Sequence, residues 1–185
     1  MKKRWITRRL LPVSLFLVLI LTFGTVYAYM FMRTPSQSTS FVPAEVSCEV
    51  AEDFDKDANI KNAITVKNTG NVDAYLRVRL VTYWVDDDGN VAPKSSPALS
   101  VDFNEDYWVA GSENTFYYKE PVAPYDSTSG KGITETLLKT PITLKTEDGY
   151  RQVVDIFGEA IQSNPVDAVK EAWPVTLSGT TIVSP

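Results

Sequence analysis

Lys67-Asn68-Thr69-Gly70-Asn71-Val72-Asp73-Ala74-Tyr75-Leu76-Arg77-Val78-Arg79-Leu80 reads as strand, tight turn, strand. On the way in, Ile64 and Val66 alternate with Thr65 and Lys67; on the way out, Leu76, Val78 and Leu80 alternate with Arg77, Arg79 and Val81. Period two over that length predicts half-buried strands, the aliphatic set inward and the arginines toward water. Between them, Asn68-Thr69-Gly70-Asn71 supplies a glycine free to take positive φ and two Asn side chains that can bond local backbone. Strands that are apolar on one face need a second layer, so the fold predicted around this stretch is an antiparallel β-sandwich.

Working outward, most of the chain continues in short strands. Trp84-Val85 closes one strand and Asp88-Gly89 turns the chain. Leu99, Val101 and Phe103 alternate as a short strand. Tyr107-Trp108-Val109 and Phe116-Tyr117-Tyr118-Lys119 read as aromatic strands joined across 110–114. These rings suit either a sheet core or a carbohydrate-binding groove. Pro121 to Gly132 is a loop, and Leu137-Leu138 and Ile142–Leu144 mark later strands. Val153 to Ile161 is dense enough for a central strand with little exposure. Asn164-Pro165-Val166-Asp167 starts a short helix capped by Asn164 and ended at Trp173-Pro174. The prediction is all-β with one short helix over residues 41–185.

The N-terminus is different. Lys2, Lys3, Arg4, Arg8 and Arg9 precede an uncharged, mostly apolar run at 10–32, and Arg33 follows it. About 23 residues at ~1.5 Å each span a bilayer core of roughly 30 Å, and the basic side stays in the cytoplasm. Residues 1–32 therefore read as a signal peptide or a signal anchor. Val26-Tyr27-Ala28 offers a cleavage site before Tyr29. Cleavage gives a released protein; retention gives a single-pass membrane protein with its body outside. Residues 33–40 are a polar linker.

Behind the leader stand 12 basic residues against all 23 acids, a formal charge of −11. That argues against nucleic acid as a partner. The chain has no His, which removes the usual general base near neutral pH and the commonest metal ligand. Cys48 is the single cysteine, so no disulfide forms within the chain; it reads as a small buried strand residue rather than a thiol that pairs between molecules, and it has no His to activate it. Asp53, Asp55 and Asp57 begin like a calcium loop, but Ala58 stands where Gly belongs and Ile64 where Glu belongs. A solvated acidic loop is the reading, with no metal and no cofactor expected. No Ser lies in a nucleophile elbow, so the chain is read as a non-enzyme.

Four pieces in order resemble the TasA/camelysin-like group of exported Gram-positive proteins: VKNTGNVDAYLRVRLVTYW at 66–84, YWVAGSENTFYYKEPVAP at 107–124, VDIFGEAIQ at 154–162 and AVKEAW at 168–173. The resemblance implies a jelly-roll form of the sandwich, a dedicated signal peptidase as processing partner and a place at the cell surface or in biofilm matrix. It also implies assembly by lending an N-terminal strand to the next subunit. Residues 41–50 occupy that place, with Val46, Cys48 and Val50 as the apolar face. Here the chain departs from the family after the leader, continuing Met30-Phe31-Met32. The alternative is an anchored extracellular module that binds glycan or peptide through its Tyr/Trp strands.

Overall fold

The computed structural model describes residues 16, 18–27 and 43–185. Two compact units divide at Val42 and Pro43. In the first, residues 18–27 are helical (α1) with exposed side chains, and the Thr22 hydroxyl donates to the Val18 and Leu19 carbonyls. Among the described residues no helix is long and apolar enough to cross a membrane. Most of the expected span at 10–32, the Ala28–Tyr29 cleavage site, the linker and Phe41 lie outside the described residues.

The second unit is antiparallel β structure. Strands β1 (Cys48–Asp55), β2 (Ile60–Asn68) and β6 (Ile142–Thr143) form one sheet in the order β1-β2-β6. Strands β3 (Ala74–Val85), β4 (Trp108–Ala110), β5 (Thr115–Tyr118), β7 (Thr146–Glu147) and β8 (Tyr150–Gln162) form another, in the order β4-β5-β3-β8-β7. The two sheets share one core: Ile64 and Val66 from β2 meet Leu76, Val78 and Leu80 from β3, Val154 from β8, and Trp108 and Phe116. This is what the period-two pattern requires, since each sheet buries one face against the other.

The far side of β3 is covered as well. Helix α2 (Asp167–Ala172) and the hairpin β9 (Thr176–Ser178) and β10 (Thr181–Ser184) lie over Tyr75 and Tyr117, making a second cluster with Val169, Trp173 and Ile182. Arg77 is therefore not turned to water. Its guanidinium lies 4.8 Å from the Trp173 ring centroid and its Nη2 2.6 Å from Glu159 Oε2. Arg79 keeps the predicted exposure, at 49% for its side chain.

Other expectations change too. The first strand is β1 at Cys48–Asp55, not 41–50, because its partners on β2 begin only at Asn68 opposite Cys48. Asp53 and Asp55 consequently sit on a strand, with only the following turn at 56–59 outside it. The Leu99–Phe103 stretch forms no strand; Phe103 makes a single bridge to Leu138. Strand β8 is not shielded along its length, since Phe157 is 53% exposed. The α2 N-cap is Val166, without a side-chain bond, and Asn164–Pro165 is a cis peptide. The turns at Asp86–Asn90 and between β4 and β5 form where predicted.

Candidate functional site

The segment nearest the leader sits in a built seat. Cys48, Val50 and Glu52 lie opposite Asn68, Val66 and Ile64 on β2. Directly opposed residues share a face, and those three β2 residues are fully buried, so this side of β1 looks inward. Val46, Cys48 and Val50 are each half-buried against the main core. The sequence pattern for these three side chains agrees with the structure, although Val46 lies ahead of the strand.

Two glycines make the seat possible. A Cβ on Gly158 of β8 would come within 2.6 Å of Val50 Cγ2 and 3.3 Å of Cys48 Sγ, so β1 packs this closely against β8 only because that position lacks a side chain. Gly70 does not use the positive φ expected of it. Its role is close approach, because a Cβ there would lie 2.3 Å from the Glu45 carbonyl oxygen.

That approach belongs to a clasp. The Thr69 N–H donates to the Ser47 carbonyl at 3.0 Å and the Asn71 N–H to the Glu45 carbonyl at 3.0 Å. The Glu45 N–H returns a bond to Asn71 Oδ1 at 2.8 Å, and Asn71 Nδ2 donates to the Pro43 carbonyl at 3.0 Å. Ser47 and Thr69 share a hydroxyl bond at 2.8 Å. The Asn-Thr-Gly-Asn turn thus holds the incoming chain at 43–47. Asn68 anchors the turn from within: fully buried, its Nδ2 donates to the Val72 and Val122 carbonyls and its Oδ1 accepts from Gly70. Buried amides are satisfied this way or cost dearly.

Both sheets are open beside this seat. β1 is the edge of its sheet, and among the described residues β8 meets β7 only at Tyr150 and Arg151. A groove of about 330 Å³ runs between the two edges, lined by Val50, Glu52, Val154, Asp155, Ile156 and Phe157. Two ion pairs tie β1 to β2, Glu49 with Lys67 at 2.7 Å and Glu52 with Lys61.

The Cys48 thiol is pushed up from its ordinary value by burial, and then by the Glu159 carboxylate. A raised thiol is a poor nucleophile. Asp55 Oδ1 accepts from the Asp57 and Ala58 amides, closing the turn to β2, and Asp53, Asp55 and Asp57 are all exposed. Among the described residues no group of three or more His, Cys, Asp or Glu could hold a metal ion.

The aromatic strands supply core. Trp108, Phe116, Tyr117 and Trp84 are each at most 5% exposed. Tyr107, stacked over Tyr118 at 6.5 Å, and Tyr125 are the rings of this region left open. Sequence reasoning missed Gly158 and Lys61; the small residue inside an otherwise dense strand pattern was the available signal for Gly158. Comparisons with protein-family models, with curated proteins and with solved structures each found no match.

Proposed function

We propose that this chain is an exported structural protein of the cell surface or biofilm matrix, of the TasA/camelysin-like kind, with a jelly-roll body and no enzymatic activity. The apolar leader at 10–32 carries the body across the membrane. It is then cut by a signal peptidase near Ala28–Tyr29 or kept as a single-pass anchor. Subunits assemble when the N-terminal strand of one copy seats on the β2 edge of another.

The observation that carries this reading is the seat itself. The strand closest to the leader is an edge strand, half-buried at Cys48 and Val50 as is Val46 just ahead of it, and clasped by a turn through two backbone bonds and three that use the Asn71, Ser47 and Thr69 side chains. The same bonds form whether the strand is the chain's own or a neighbour's, so little free energy separates the two. Because β1 is joined to β2 by a short turn at 56–59, exchange carries the whole of β1 and opens that turn. The exchanged unit therefore runs on to Asp55 rather than ending at Val50. An anchored glycan- or peptide-binding module is the alternative, and it is left with Tyr107 and Tyr125 as exposed rings.

The test compares the chain starting at Arg33 with the same chain carrying Val46→Asp and with one lacking everything before Ala58. Filaments by electron microscopy and growth in light scattering from the first alone support strand exchange. Three monodisperse folded monomers under all conditions end it.

A further inference from the structure

The pairing of β1 with β2 is regular from Cys48 to Asp53 and then shifts: Asp53 lies opposite Ala63, but Phe54 lies opposite Lys61. Asn62 is the extra residue on β2, a bulge that re-aims the residues beyond it. Without it, alternation from Ile64 and Val66 would turn Asn62 inward. With it, Asn62 is exposed and Lys61 turns into the space between the sheets, 4% exposed. Its ammonium lies 4.9 Å from the Phe54 ring centroid and bonds the Glu52 carboxylate. Glu52 is the inward residue two beyond Val50, and it lines the groove with 42% of its side chain exposed. A buried cation paired with a carboxylate on an edge strand is costly to leave alone, and such groups are best attested as register-setting devices.

We propose that Lys61 is the selectivity residue of the β2 edge: it accepts a strand that carries aliphatic or thiol side chains at two alternate inward positions and a carboxylate at the third. Cys48, Val50 and Glu52 are that pattern, so the partner that fits is β1 from a second copy, in one register. A one-residue slip presents either Glu49, Ala51 and Asp53, with an acid where Cys48 belongs, or Ser47, Glu49 and Ala51, with no acid for Lys61. Selectivity here comes from rejecting strands without the acid as much as from holding the one that has it. The identity of the partner rests on the strand-exchange reading above; the selectivity of the edge does not.

The experiment uses the full chain in detergent micelles, as wild type, Glu52→Gln, Lys61→Met and the double variant, each in two differently tagged forms. Glu52→Gln strands Lys61 and lowers the unfolding midpoint by roughly 6 °C or more. Lys61→Met removes the cation and is nearly neutral, and the double variant matches Lys61→Met. If Glu52→Gln alone fails to fold, recovery in the double variant reads out the same coupling. A Glu52→Gln cost that is as large in the Lys61→Met background as in the wild type overturns the proposal. After mixing tagged copies through a thermal opening step, wild-type acceptors capture Glu52→Gln donors about tenfold less than wild-type donors, while Lys61→Met acceptors capture both equally. Equal capture by wild-type acceptors overturns selectivity. The expected midpoints without any capture between copies uphold the role of Lys61 and sink strand exchange.

Discussion

Strands β3 and β8 pair without interruption from Ala74 opposite Gln162 to Val85 opposite Arg151, and β3 is buried on its inner face and covered on the other around Tyr75 and Arg77. Strands β1 and β2 pair over a shorter stretch broken by a bulge, and no residue of β1 is fully buried. Both pairs are antiparallel ladders with similar backbone bonds. The difference lies in what stands on either side. β3 has neighbours at both edges, one face fully buried and the other covered around Tyr75 and Arg77, whereas β1 has one neighbour strand, one partly covered face and an open groove. Since burial rather than the ladder supplies most of the driving force, the chain divides into a core that must form and an edge that can be lent.

The largest effects fall on the first region. Val78→Asp places an unpaired charge at a fully buried site between β5 and β8, and it prevents folding, read as loss of near-UV circular dichroism. Leu76→Ala leaves a cavity and costs about 3 kcal/mol in denaturant unfolding. If Val50→Ala proved equally costly, the contrast between the regions would collapse.

Gly158 connects the two. Gly158→Ala drives a methyl into Val50 and costs about 1–3 kcal/mol. The account expects that cost to fall on β1, so proteolysis cuts first within 43–55 while the β3–β8 pair stays protected. Cleavage beginning in β8 would show that the strain enters the core instead.

A smaller effect separates two arginines that look alike in the sequence. Arg77 lies beneath Trp173 and bonds Glu159, so Arg77→Ser loosens α2 and costs about 1–2 kcal/mol. Arg79 is half-exposed and pairs with Glu113 at 2.5 Å, so Arg79→Ser changes the stability by less than about 0.5 kcal/mol. Equal effects would mean that α2 does not cover Arg77 in solution.

The core was legible because its signal is local. Alternation in Ile64–Val66 and Leu76–Leu80 gives the faces, and Asp88-Gly89 gives a turn. What alternation does not carry is which strands become neighbours. The two strands around Asn68–Asn71 belong to different sheets, and the turn between them serves as a clasp for residues 43–47, a contact between segments distant in sequence. Arg77 had an outward parity in the sequence, and only the return of Trp173 over that face buries it. Lys61 was illegible for the opposite reason: the bulge at Asn62 breaks the very periodicity used to assign faces. At the candidate site, Val46, Cys48 and Val50 were readable from their pattern, whereas Gly158 and Glu52 acquire meaning only once β1 is laid against β8 and β2.

The separation of edge from core is tested most directly by amide hydrogen exchange in native buffer, followed peptide by peptide. β1 amides that donate to β2 are compared with those of β3 that donate to β8. The account predicts that protected amides within 48–55 exchange through a local opening, far faster than amides within 76–84, which exchange only through global unfolding. Exchange of both segments at one common rate, moving together as denaturant is added, would contradict it.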